Sequence, residues 1–134
     1  AAAVADFKPR VKSKQKIKKS LNSNFLNLEK NKDILEYFCK NNKRRPKLVV
    51  GFSAETENLI ENSTRKMHQK YCDMIVANDV SKKEAGFNVN YNKISIIERG
   101  GKIENLPKNT KSYIAAIIAK KIIDKLLIDD KNKN

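Results

Sequence analysis

Leu48-Val49-Val50-Gly51-Phe52 is an unbroken apolar run, and Met74-Ile75-Val76-Ala77 is a second. Runs this short, without alternation, fit strands buried on both faces, as in a parallel sheet. Between them, Thr56 to Tyr71 takes up a helical period, with Leu59, Ile60, Ser63, Met67 and Tyr71 on one stripe. Ile94, Ile96 and Ile97 read as a further strand. Arg99-Gly100-Gly101-Lys102 reads as a turn, and Ile103 as the start of a segment that pairs back. Pro107 and Thr110 precede a final helix whose core face is Ile114, Ile117, Ile118, Ile122 and Leu126. Strands alternating with helices predict an α/β fold with a parallel sheet, flanking helices and a C-terminal antiparallel hairpin.

The remaining segments are less patterned. Ala1 to Val4 reads as the end of a buried strand, as though the chain were entered in mid-strand. Asp6 to Lys19 contains Pro9, six lysines, Arg10 and no helical period, and reads as a long mobile loop. Phe25, Leu26 and Leu28 suggest a short strand. From Asn31 the pattern is helical, with Asn31 as N-cap and Ile34, Leu35 and Phe38 sharing a face. Asn41 to Arg45 reads as a turn, Asn78 to Tyr91 as a loop and Asp129 to Asn134 as a polar tail.

The 134 residues suffice for one domain, and 40% apolar content suffices for a core. No apolar stretch approaches the length of a membrane span or secretory signal. Cys39 and Cys72 lie far apart and form no CxxC, which fits a reduced cytosolic chain with both thiols as small buried apolar groups. The net charge is +14, with 14 basic and 4 acidic side chains in residues 1–50 alone. A surplus of that size points to nucleic acid or another polyanion. It is also what compositional drift gives, because lysine outnumbers arginine 24 to 5. Bidentate recognition of bases and phosphates favours arginine. His68 is the only histidine and falls opposite the apolar stripe, so neither a catalytic triad nor a zinc site is supported. There is no Walker A loop and no GxGxxG.

Six segments in fixed order carry more information. They are AAAVADF (Ala1–Phe7), KIKK (Lys16–Lys19), NKDI (Asn31–Ile34), VVGFSAET (Val49–Thr56), ANDVS (Ala77–Ser81) and Gly86-Phe87 ahead of Asn92. The series resembles bacterial phosphopantothenate–cysteine ligase, the C-terminal half of the bifunctional coenzyme A biosynthesis flavoprotein. The resemblance implies a Rossmann-like domain that dimerises, of which this chain is a part. Residues 1–128 would be the C-terminal part of that domain and 129–134 a tail. The implied activity joins 4′-phosphopantothenate to cysteine, with CTP as co-substrate and Mg2+ as cofactor, through an acyl-cytidylate. FMN would belong only to a partner decarboxylase domain. The family's Gly-rich nucleotide loop and intermediate-handling Asn belong to its N-terminal half and have no counterpart here. Lys32 stands where the family usually has Pro, which removes a rigid φ. Ser53 stands where Ala is usual.

The resemblance implies nucleotide contacts at Asp6, Lys16, Lys32, Asp33, Ile34, Phe52, Lys66 and Lys70. Lys16 is the implied catalytic lysine of a flap. No metal ligand is assigned. Physical reasoning leaves alternatives beside each role. Asp6 follows a strand end, where open α/β sheets hold ligands, or it simply forms a turn. Asn31 to Ile34 present a helix start to cytosine or ribose, or form an ordinary cap. Phe52 packs on the nucleotide or in the core. Lys66 and Lys70, at i and i+4, border the apolar stripe. They either hold an anion between them or snorkel to water.

Two other classes of function compete. A nucleic-acid-binding module would use Lys8 to Lys19, with affinity falling steeply with salt and little competition from CTP. A scaffold remnant would only dimerise. Basic charge alone does not require VVGFSAET or ANDVS, and the N-terminal half of the domain, found on the same gene or as a second chain, would tell the scaffold remnant apart. The resemblance implies a cytoplasmic homodimer working with the N-terminal half of its domain, with no membrane partner.

Overall fold

The structure is a computed structural model and describes residues 4–12, 15, 25–40, 43–81 and 90–131. The chain divides into two units, Ala1–Ile34 and Leu35–Asn134.

In the first unit, β1 (Phe7–Pro9) pairs antiparallel with β2 (Leu28–Lys30), in the register Phe7 with Lys30 and Pro9 with Leu28. All six residues are exposed. Three expectations change here. Val4 is exposed and lies in no strand. The segment read as a loop from Asp6 contains β1. The second strand starts at Leu28 rather than at Phe25, which is exposed. Two three-residue strands without a buried face have no apolar alternation by which to be recognised.

The second unit is a four-stranded mixed sheet in the order β3 (Val50–Glu55), β4 (Met74–Asp79), β5 (Tyr91–Glu98), β6 (Ile103–Thr110). Only β3 and β4 are parallel among the described strands, joined through α2 (Leu59–Lys70). β5 runs antiparallel to both β4 and β6. The parallel portion is thus narrower than the sequence pattern implies. Residues 80–90 are a short connection for a parallel crossover, which takes a dozen or more residues. The terminal hairpin forms as expected around Gly101, whose φ of 89° favours glycine.

Period-two alternation sorts the apolar side chains to two faces. One face packs Ile75, Ala77 and Ile97 with Cys39, Val49, Met67 and Cys72, flanked by Leu35, Leu59 and Ile60. The helices on that side are α1 (Ile34–Lys40) and α2. The other face packs Met74, Val76, Ile94, Ile96 and Leu106 under α3 (Lys111–Lys131), through Ile114, Ile117, Ile118 and Ile122. Gly51 allows the close approach of α1. A Cβ there would lie 3.0 Å from Leu35 Cδ2 and 3.2 Å from Ile75 Cγ1.

Of the expected α3 core face, the four isoleucines named above pack on the sheet, and Leu126, half-buried near the helix end, is not in that cluster. Thr110 caps this helix, its Oγ1 accepting the Tyr113 N–H at 3.2 Å. Pro107 is tolerated because β6 is an edge strand and the register shifts there, leaving Pro107 and Lys108 opposite Lys93. In α1 the buried residue is Cys39, while Ile34 and Phe38 are exposed, so the expected apolar face is rotated. Asn31 is not the cap of α1, which starts three residues later. Tyr71 leaves the α2 stripe as an exposed, left-handed C-cap at φ 60°.

Arg45 and Asp73 clasp the α1 side of the sheet. Arg45 donates from Nη2 to both Asp73 oxygens, at 2.8 and 2.7 Å, and from Nε to the Cys39 carbonyl at 3.2 Å. Asp73 Oδ2 also accepts the Val49 N–H at 2.7 Å, just ahead of β3. Cys39 and Cys72 are both reduced, with sulfurs 3.8 Å apart. Burial first, and then the neighbouring thiol, push Cys72 up to about 12, so it serves as a packing group.

Candidate functional site

The carboxyl ends of β3 and β4 carry Glu55 and Asp79, which are register partners. Crevices outside such strand ends are where open α/β sheets place ligands. Gly51 faces Leu35 and Ile75, so alternation sends Ser53 and Glu55 to the same side, toward α2. Lys66 lies well along α2, yet its side chain reaches back to the strand end, because helical side chains tilt toward the N-terminus. Its ammonium donates to Glu55 Oε1 at 2.6 Å. The Ser53 hydroxyl donates to the same oxygen. The Glu55 side chain is only 11% exposed, that of Lys66 44%. Burial works to raise the Glu55 pKa, but the bonds from Lys66 and Ser53 outweigh it and hold the carboxyl below the usual carboxylate range.

Lys66 therefore neither snorkels alone nor simply faces Lys70; it is already paired with an anion from the strand. Lys70 is half-buried on the same helix face, one turn on. Ser63 lies one turn before Lys66, fully buried, and its hydroxyl has no hydrogen-bond partner among the described residues. Phe52 takes the opposite face of β3 from Glu55. It shares the side of Val50, which packs toward α3, but β3 is the edge of the sheet among the described strands and Phe52 is 57% exposed. It is not a core residue. The structure thus brings Lys66 and Lys70 together on one side of β3 and leaves Phe52 on the other.

In the first unit, residues 25 and 26 positions apart are tied together. Asn31 donates from its backbone N–H to the Asp6 carbonyl at 2.8 Å and from Nδ2 to the Ala5 carbonyl at 2.7 Å. These bonds continue the β1–β2 register by one pair and set Asp6 beside the Asn31–Ile34 segment. Asp6, Lys32 and Ile34 are exposed, and Asp33 is half-buried. Lys16 and the rest of KIKK lie outside the described residues, as do Gly86 and Phe87. Sequence reasoning missed Glu55 and the Asn31 clamp. Glu55 sits inside VVGFSAET, and the i, i+2 spacing from Ser53 on one strand face was a signal that could have found it.

Among the described residues, no group of three or more His, Cys, Asp or Glu could hold a metal ion. No helix among them is long and apolar enough to cross a membrane.

The second unit is a three-layer α/β domain that gathers charged side chains at the ends of its parallel strands. The family described as the DNA/pantothenate metabolism flavoprotein C-terminal domain matches residues 1–126, and the chain belongs to that family. The Coenzyme A biosynthesis bifunctional protein CoaBC of Vibrio cholerae serotype O1 is 39% identical over 119 residues, which is 87% of this chain and 29% of that protein. A prokaryotic protein of unknown organism, named Cysteine/Cysteine sulfinic acid decarboxylase, is 39% identical over 123 residues, 92% of this chain and 34% of its own length. The crystal structure of the C-terminal domain of Coenzyme A biosynthesis bifunctional protein CoaBC superposes with a TM-score of 0.68 at 30% identity. It covers 96% of this chain and 53% of the solved one. The chain thus spans about a third of the length of the curated relatives it matches.

Proposed function

We propose that the chain is part of a phosphopantothenate–cysteine ligase, with residues 1–128 as the C-terminal part of its domain. The observation that carries this reading is an accessible lysine, held by an ion pair at the end of a parallel strand, in a chain of this family. In the proposed reaction, the carboxylate of 4′-phosphopantothenate attacks the α-phosphorus of CTP and pyrophosphate leaves. The amine of cysteine then attacks the acyl carbon of the acyl-cytidylate, and CMP leaves.

A triphosphate needs cationic side chains against its charge, and we assign this to Lys66 and Lys70. An ammonium is suited to the task as a compact charge with three donors. Asp6, Lys32, Asp33 and Ile34 are assigned to ribose and base, and Phe52 to the nucleotide through its exposed ring. Lys16 is the proposed flap lysine, whose closure would keep water from the mixed anhydride. Mg2+ would supply counter-charge to the phosphates. The described residues do not furnish a protein cage for it, so no ligand or step is assigned to the metal. FMN is assigned to a partner decarboxylase domain and not to this chain. A homodimer in the cytoplasm, completed by the N-terminal half of the domain, completes the proposal. That half would bring the Gly-rich loop and the Asn that handles the intermediate.

The test is nucleotide consumption by the full polypeptide in which the chain occurs. Release of CMP and pyrophosphate that requires both 4′-phosphopantothenate and cysteine supports the ligase. Tight binding to DNA that falls steeply with salt, with no response to CTP, would establish the nucleic-acid reading instead.

A further inference from the structure

We propose that Glu55 is a built-in counter-anion for Lys66, a positioning residue that holds the ammonium at the strand end and competes there with the phosphates of the nucleotide. The inference rests on the assignment of Lys66 to the triphosphate.

Three observations carry it. First, the carboxylate is fixed and the lysine is accessible. Glu55 is nearly covered, at 11% side-chain exposure, while Lys66 keeps 44% of its side chain in solvent. Second, Glu55 is held from its own strand and from the end of the neighbouring one. Ser53, itself buried, donates to the oxygen that Lys66 uses, and the Val80 N–H donates to the Glu55 carbonyl at 2.9 Å. An arriving anion can therefore draw on Lys66 but cannot readily displace Glu55. Third, the carboxyl is kept ionised by these partners, so its negative charge remains beside any phosphate that reaches Lys66.

The consequence is a graded penalty. A ligand whose phosphates reach Lys66 must share the ammonium with Glu55 and meet its repulsion. One that stops short of Lys66 does not. The penalty falls on triphosphate and pyrophosphate and spares a nucleoside monophosphate. It also aids release, because Lys66 has a partner waiting when pyrophosphate departs. Glu55→Gln keeps the size of the side chain and an acceptor for both Ser53 and Lys66, and removes only the charge.

The experiment is calorimetric titration of the full polypeptide with CTP, CMP and pyrophosphate, each with Mg2+, for wild type, Glu55→Gln, Lys66→Ala and the double variant. Glu55→Gln is expected to tighten CTP and pyrophosphate about two- to tenfold and to leave CMP unchanged, on the scale of a part-exposed ion pair. In the Lys66→Ala background the same substitution is expected to change nothing. A purely structural role for Glu55 would lower stability and could not tighten a ligand. If Lys66→Ala weakens CTP while Glu55→Gln leaves it unchanged or weaker, the counter-anion role is overturned and the nucleotide assignment stands. If Lys66→Ala leaves CTP binding intact, the assignment of Lys66 fails and the inference fails with it. Should Glu55→Gln not fold, Glu55→Asp draws the carboxylate back by one methylene and is expected to give the same sign at smaller size. The opposite sign overturns the proposal.

Discussion

The β1–β2 ribbon and the β3–β6 sheet use the same backbone hydrogen bond under opposite conditions. In the ribbon every strand residue is exposed, and the ion pair across it, Lys8 to Glu29 at 3.2 Å, has both side chains nearly half in water. Such a pair contributes little, and a two-stranded ribbon alone is marginal. In the sheet, both faces of β4 are buried and both carry helices. The difference separates stability from recognition. Hydrophobic burial fixes the second unit. The first unit holds Asp6 beside Asn31 by two hydrogen bonds to main-chain carbonyls, and it leaves the Asp6 and Lys32 side chains exposed.

The largest expected effect sharpens that contrast. Ile96 is fully buried under α3, and Ile96→Ala should destabilise the protein by about 2–5 kcal/mol. Phe7→Ala in β1, by contrast, should fall within about 0.5 kcal/mol of wild type. Urea unfolding of both variants measures this, and comparable losses would break the comparison. Arg45→Ala comes next. It strips Asp73 of its charged partner and frees the Cys39 carbonyl, at a cost of about 2 kcal/mol in the same assay. Arg45→Lys should recover little, because one ammonium cannot reach both sites.

The pH dependence should also belong to the sheet. Glu98 is held below the usual carboxylate range by its bonds from Lys125 and Lys121, against the opposing effect of burial. Glu55 is lowered as well. A lowered folded pKa means stability present above the unfolded value, about 4.3, and lost as pH falls through the folded one. Lys121 is raised, first by its bond to Glu104 and also by Glu98, with burial opposing. Its contribution is complete below the unfolded value, about 10.4, and disappears as pH rises through the folded one. Thermal melts across pH should therefore fall off at both ends, and Lys121→Met should flatten both flanks. The smallest effect is local. Asn31→Ala should speed amide exchange in β1 and β2 by about fivefold, the equivalent of about 1 kcal/mol, with the global midpoint unchanged.

The elements with buried faces were legible in the sequence. The runs at Leu48–Phe52 and Met74–Ala77, the stripe through Ser63 and Met67, and the isoleucines of α3 follow from burial and period alone. The direction of β5 was not, because an apolar strand reads alike in parallel and antiparallel neighbours. β1 was missed because exposed three-residue strands carry no pattern. Asn31 has the chemistry of a cap, and only its partner 26 residues earlier reveals its use. Of the candidate site, the family motifs supplied Asp6, Asn31–Ile34 and Phe52, and the wider resemblance supplied Lys66 and Lys70. The pairing of Lys66 with Glu55 could not be read, because it depends on how α2 lies against β3. Nor could the exposure of Phe52, which follows from the edge position of its strand.

The most direct test of the nucleotide assignment is titration of the full polypeptide, wild type and Lys66→Ala, with CTP and with CMP. Losing a hydrogen bond to a charged group costs about 1.5–3 kcal/mol, so CTP should weaken roughly 10- to 150-fold. CMP, which lacks the β- and γ-phosphates, should change little, and Lys70→Ala should follow the same pattern. Equal weakening of both nucleotides, or no weakening of either, would contradict the account.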